Sequence, residues 1–365
     1  MTMKRRAVLT AGAAMALGMT LPRPAAARFA PEPSGWRRFE ITTRLAIPRV
    51  GKPVRAWVPV PAMTEGDWMQ AGAARWTTNA QRAGLKTDGA TGARFVEAVW
   101  PAADAPADLV VTAVASAQDR AVDLSRPRDL PPLSEAERAR HTAPTALIPT
   151  DGIVHETAMD IVGDADSDLE KAGRIYDWVV DSTERNPKTR GCGLGDVASM
   201  LKSGDLTGKC ADLNALFVGL ARAAGLPARD LYGLRVAPSA FGYKSLGAGS
   251  SDVTKAQHCR ADVYLDGFGW VPADPADVRK VVLEEPPKTL TLADPEVQAV
   301  RAGLFGAWEG NWIALNAAHD VTLPGSANGP LPFLMYPQAE SAGRRRDELE
   351  PSGFAYTITV RELGA

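Results

Sequence analysis

The sequence predicts an α+β fold. A buried helix that opens at a cysteine packs on an antiparallel sheet, behind an N-terminal β-rich domain. Three observations predict this. Residues 36–125 run through alternating apolar and polar segments broken by prolines. Leu213, Leu216, Phe217, Leu220 and Ala224 recur at helical spacing. Residues 256–272 read as two strands joined by a turn at Asp266-Gly267.

With 365 residues the chain is long enough for two domains, and 45% hydrophobic with 23% charged residues is ordinary for a protein with a real core. The formal charge is −2, from 41 basic and 43 acidic residues. Without the four basic residues of the first 27 positions it falls to −6. A mildly acidic chain argues against nucleic acid as a partner.

Residues 1–27 read as an export signal. Lys4-Arg5-Arg6 is a charged start, Ala7 to Met19 an apolar stretch too short to span a bilayer, and Ala25-Ala26-Ala27 a small-residue cleavage site. Arg5-Arg6-Ala7-Val8-Leu9 resembles a twin-arginine signal; a general secretory signal is the alternative. No later run of about 20 apolar residues occurs, so no transmembrane span is expected after cleavage. The expected address is periplasmic or secreted.

Residues 28–125 form the expected N-terminal β domain, a sandwich with strands at Trp36–Ile47, Val54–Val60, Ala93–Trp100 and Leu109–Ala117. Trp57, Trp76 and Trp100 are its core candidates. Residues 126–150 read as a proline-rich linker holding a short helix capped by Ser134. His141 and His155 have no nucleophile or carboxylate motif beside them and read as surface histidines.

The core is expected over 151–282. Asp166-Ser167 caps a helix whose stripe is Leu169, Ala172, Ile175, Tyr176 and Val179, with Trp178 off it. A second short helix covers 196–201. Then Gly204 to Lys209 is a loop of turn formers, and Cys210 starts the helix that Gly225 and Pro227 end. A thiol in a first turn meets unpaired N–H groups and the positive end of the helix dipole, which favour thiolate. His258 begins the first strand of the hairpin and Asp274 follows the second, so the antiparallel pairing brings the two together. A base beside a thiol, with a carboxylate orienting the base, is the arrangement of nucleophilic catalysis.

The segments GKCADLNALFVGLARAAGLPAR and HCRADVYLDGFGWVPADPAD resemble the transglutaminase-like superfamily within the papain-like fold. Gly208, Cys210, Gly225, Pro227, Ala228, Arg229, His258, Asp262, Gly269, Trp270, Asp274 and Pro275 fit its pattern over roughly residues 165–280. The resemblance implies Cys210 as nucleophile, His258 as general base and acid, and Asp274 as orienting carboxylate. It leaves open a peptide or amide hydrolase, an amine-transferring cross-linker, and a silent binding or assembly module. Gln257 and Trp178 are candidates for an oxyanion or cleft contact, besides the Cys210 N–H. An exported enzyme of this kind would meet peptide, protein or cell-wall amides. No cofactor and no metal-ligand spacing is read.

Three cysteines occur: Cys192, Cys210 and Cys259. Either Cys192 pairs with Cys259 and leaves Cys210 free, or all three stay reduced. Strand alternation points Cys259 away from His258. Arg190, Gly191 and Cys192 lead into the cysteine loop. Residues 238–255 read as a substrate lid or a surface loop. The aromatic run 304–312 is assigned to the core, and 283–365 to an extension packing on it. Adjacent residues do not face each other, so His319-Asp320 is no second dyad.

Overall fold

The computed structural model describes residues 29–364. The export segment read at 1–27 lies outside them. Among the described residues no helix is long and apolar enough to cross a membrane.

The N-terminal strands are β1 (Arg37–Ile47), β2 (Lys52–Val60), β3 (Met69–Thr78), β4 (Arg82–Thr87), β5 (Arg94–Ala103) and β6 (Ala107–Ala117). β1 and β6 alternate buried and exposed residues along their whole length, the signature of a sheet with one covered face. Leu45 and Ile47 from β1, Val54, Ala56 and Val58 from β2, and Trp100 from β5 close the layer between two sheets. Trp57 and Trp100 are fully buried, while Trp76 is half-buried at the edge of this layer. β3 and β4 escape the sequence reading. Met69-Gln70-Ala71-Gly72-Ala73-Ala74 offers small residues in place of alternation, and the strand shifts register between Ala71 and Ala74.

Among the described residues there are seven α-helices: α1 (Glu135–Thr142), α2 (Gly152–Val162), α3 (Asp168–Ser182), α4 (Val197–Ser203), α5 (Cys210–Ala223), α6 (Pro275–Glu284) and α7 (Pro295–Gly303). Ser134 caps α1 in a capping box with Glu137, and Ser167 caps α3 through the Glu170 N–H. α5 is buried from Cys210 to Arg222, since it packs on the central sheet and also meets α2, α3 and α6. Gly225, at φ +84°, lets the chain leave the helix.

That sheet holds β7 (Ala228–Arg235), β8 (Gln257–Leu265), β9 (Gly269–Ala273) and β10 (Trp312–Asn316), all antiparallel, in the order β9-β8-β7-β10. Arg229 lies opposite Asp262 across β7 and β8 and grips its carboxylate at 2.9 and 2.6 Å, with Arg120 at 3.3 Å. Trp270 covers the Arg229 guanidinium at 3.8 Å, and His141 stands edge-on to Trp270. These motif residues hold the sheet together. His141 is thus half-buried rather than free on the surface, while His155 is exposed.

The C-terminal part of the chain returns to the sandwich as well as to the core. β11 (Gln338–Ser341) pairs with β2, β12 (Arg344–Arg345) extends it, and β13 (Tyr356–Leu363) pairs with β1. Trp308 and Trp312 are buried in the main core.

Gly233 tests the sheet packing. A methyl group there meets Trp312 Cζ2 at 2.3 Å and the Ile313 carbonyl at 2.4 Å. Gly233→Ala is expected to lose about 1–3 kcal/mol of stability. Gly84→Ala, with nothing within 4 Å, should stay within about 0.5 kcal/mol. Denaturant melts of the two variants check this.

Candidate functional site

The site forms where α5 begins, β8 begins and β9 ends. Cys210 is the first residue of α5, 3% exposed. The helix start is held from two sides. Asp212 accepts N–H bonds from Lys209, Leu194 and Gly195 at 2.9–3.0 Å, and the Cys192 carbonyl accepts the Ala211 N–H at 2.9 Å. Gly193, at φ +96°, sits so close to Asp212 that a Cβ would fall 1.8 Å from its carboxylate oxygen.

His258 is 2% exposed. Its carbonyl accepts the Trp312 indole N–H at 3.0 Å, which fixes the start of β8. Its Nε2 lies 2.7 Å from Asp274 Oδ2 and 3.3 Å from Asp277 Oδ2. The other ring nitrogen is left for Cys210, which lines the same cleft as His258. Asp274 caps α6 by accepting the Asp277 N–H at 3.1 Å, and Asn214 of α5 donates to the same Oδ1 at 3.2 Å. Asn214 also donates to the Cys259 carbonyl at 2.8 Å, so one amide ties α5 to both strands.

Two carboxylates therefore face one imidazole. Arg235 offsets the second: its Nη2 donates to both oxygens of Asp277, at 2.6 and 2.8 Å. The Arg260 Nε lies 3.7 Å from Asp274. Two guanidinium groups and two carboxylates balance, which leaves room for a neutral imidazolium–thiolate pair without net buried charge. His258, Asp274 and Asp277 also bring three possible metal-ligand atoms within 4.8 Å. Both oxygens of Asp277 are engaged by Arg235, so this is an ion-pair network rather than a metal cage.

The electrostatics favour charge separation. The His258 imidazole loses stability as a cation through burial and Arg235, but Asp277 and Asp274 outweigh both and push its pKa up to about 9. The Cys210 thiol is pulled well below its ordinary value. The Cys192 thiol contributes most, then Cys259, then His258, against the cost of burial. Cys192 moves the other way, raised by the thiolate it faces, and burial raises Cys259. All three cysteines are free thiols. Cys259 gathers with Cys192 and Cys210 in one buried cluster, whereas alternation along β8 suggested only that it would face away from His258.

Cys210 and His258 open into a cleft of about 650 Å³. Gln257 lines it, its amide N–H₂ donating to the Thr254 carbonyl at 3.0 Å. Trp178 does not: it packs on the main core, away from the cleft lining. Arg190, Gly191 and Cys192 do line it. The loop 238–255 is neither a loose lid nor a free surface loop. Glu285 anchors it through the Lys244 and Ser245 N–H groups, and Gly247–Gly249 form cleft wall. Asp277, Arg235, Asn214 and Cys192 are the partners of the Cys–His–Asp row that sequence spacing does not assign. The one available signal is the second Asp of Asp274-Pro275-Ala276-Asp277.

A buried helix on an antiparallel sheet, with cysteine, histidine and aspartate meeting at its start, defines a papain-like α+β protein. Residues 155–275 match the model of the transglutaminase-like superfamily. An uncharacterized protein of Haemophilus influenzae is 36% identical over 342 residues, 89% of this chain and 91% of that one. The solved structure of a proposed cysteine protease from Cytophaga hutchinsonii superposes with a TM-score of 0.50 at 16% identity, covering 90% of this chain and 99% of that one. The periplasmic domain of TgpA from Pseudomonas aeruginosa gives 0.34 at 14% identity, covering 74% and 94%. This chain belongs to the transglutaminase-like superfamily.

The thiol environment makes a kinetic prediction. Iodoacetamide should label Cys210 at pH 6 ahead of Cys192 and Cys259, and the profile should change only as His258 loses its proton near pH 9. His258→Ala should lower the pH 6 rate by less than the roughly hundredfold of a fully unassisted thiol, because Cys192 and Cys259 still lower the Cys210 thiol. Mass-spectrometric mapping of the adduct checks both.

Proposed function

We propose that this protein is an exported cysteine hydrolase that cleaves an amide or peptide bond through a thioester. The observation that carries the reading is the Cys210–His258–Asp274 row at the base of an open cleft, with His258 Nε2 2.7 Å from Asp274.

The chemistry follows from the charges. The Cys210 thiolate attacks the carbonyl carbon, and the carbon–oxygen double bond becomes an oxyanion. The Cys210 N–H, in the first turn of α5 where helical N–H groups lack intrahelical partners, is placed to bind it. His258 gives its proton to the leaving nitrogen as the C–N bond breaks, and a thioester remains. Neutral His258 then takes a proton from water, whose oxygen attacks the thioester and expels the thiolate. Asp274 holds the ring orientation through both steps, and Asp277, backed by Arg235, stabilises its charged form. Water is the preferred second nucleophile because no amine site is identified. Peptide or cell-wall amides are the substrates such an address would offer.

Cys210→Ala should abolish cleavage on a peptide and amide panel. Asp274→Asn should lower kcat by on the order of 10³–10⁴ with the protein still folded. Wild-type turnover by the Cys210→Ala protein would remove the reading. Export is tested separately. A reporter fused behind residues 1–35 should reach the periplasm, and replacing Arg5 and Arg6 together by lysine should retain it in the cytoplasm; export unaffected by that change points to the general secretory route.

A further inference from the structure

The reactive cleft is basic in a protein that is not. Six basic residues line it against three acidic ones, whereas the whole chain carries 41 and 43. Arg235 and Arg190 are committed, to Asp277 and Asp347. Arg185 and Lys280 share the single carboxylate of Glu284. Lys209 and Lys255 make no ion pair among the described residues, and they stand one residue before Cys210 and three before His258. The two uncommitted cations thus flank the reacting groups.

The rest of the cleft narrows the choice. The Asp252 carboxylate accepts from the Thr254 N–H and hydroxyl, at 3.0 and 2.6 Å, so it is turned to its own loop. The opposite wall, from Leu349, Pro351, Phe354 and Tyr356, is largely apolar. Beyond a ridge that includes Cys192 and Tyr336 lies a second depression of about 680 Å³, lined by Asp196, Asp205 and Asp212, with Arg190 and Glu348 shared between the two. In the first cleft Glu348 is the one lining carboxylate without a partner among the described residues, against the two unpaired lysines. Low-dielectric walls concentrate such a field.

We propose that the cleft selects an acidic peptide: an acyl group with a carboxylate close to the bond attacked, held by Lys209 and Lys255, and with its apolar part against Leu349 and Tyr356. This rests on Cys210 being the nucleophile and adds the substrate's charge to that reading. The thiolate–imidazolium pair is neutral as a unit, so it does not cancel the field of the lysines.

The experiment uses the full chain and three peptidyl acyloxymethyl ketones of equal length, with Glu, Gln or Lys next to the electrophile. The rate of adduct formation at Cys210 is read by intact-protein mass spectrometry with peptide mapping. The Glu probe should react on the order of tenfold faster than the Lys probe at low salt, with Gln between them. The difference should shrink at about 1 M salt, where screening reaches only about 3 Å. Lys255→Glu should narrow or invert the order. Equal rates for the three probes, or an order that Lys255→Glu leaves unchanged, overturn the inference and leave the nucleophile in place. Failure of every probe to label Cys210 overturns both.

Discussion

One carboxylate ties the site together. Asp274 follows β9, caps α6 and orients His258, and each of its oxygens has a separate task. Oδ1 accepts the Asp277 N–H and the Asn214 amide, while Oδ2 faces the imidazole. The same group therefore sets the direction of a helix, the position of α5 relative to the strands and the orientation of the ring. Burial opposes its charge, as does Asp277. His258 and Arg260 work the other way and favour its charged form. Removing one member of such a buried set strands the others, which costs more than the pair itself contributes.

The second carboxylate changes what the imidazole is. A histidine with one aspartate is oriented; a histidine with two, one of them neutralised by a forked arginine, is held protonated to about pH 9. In the proposed reaction the thiolate of Cys210 then needs no base at the moment of attack. Both Cys192, whose S–H donates to the Gln257 carbonyl at 3.5 Å, and His258 lower the Cys210 thiol, and the first is the larger influence. The glycines around Cys192 follow from this crowding. Gly191 and Gly193 have positive φ, and side chains there would strike Leu349 or Asp212.

Much of this geometry is readable from the chain because the parts are local. Cys210 is marked by a loop of turn formers giving way to an apolar stripe. His258 and Asp274 are marked by the two ends of one hairpin, whose pairing follows from Asp266-Gly267. Asp277, Arg235 and Asn214 are not readable in the same way. Each is defined by what it touches across the sheet, and a buried Arg–Asp fork has the same composition as a surface pair. β3 was hidden for another reason: alanine and glycine carry no alternation, and its partner β6 supplies the pattern. Trp178, off the main stripe, is half-buried, as its position on the helix implies. A residue off the main stripe of α3 can still pack on the core, since α3 is covered on more than one side.

The wall opposite the lysines belongs to a different part of the chain from the reacting groups. The match to the superfamily covers 155–275 and contains Cys210, His258 and Asp274. Tyr336 and residues 348–356 lie beyond it, yet they line the cleft. Tyr356 does so as the first residue of β13, where it pairs with Leu45 of β1. The N-terminal sandwich thus holds one side of the cleft through a strand donated by the C-terminal segment. A change of sequence in β1 or β13 can reshape that wall without touching the ion-pair network behind the thiol. On the proposed function, reactivity and selectivity rest on separate supports, so a fold shared at 16% identity with a solved structure carries little information about what this cleft would admit.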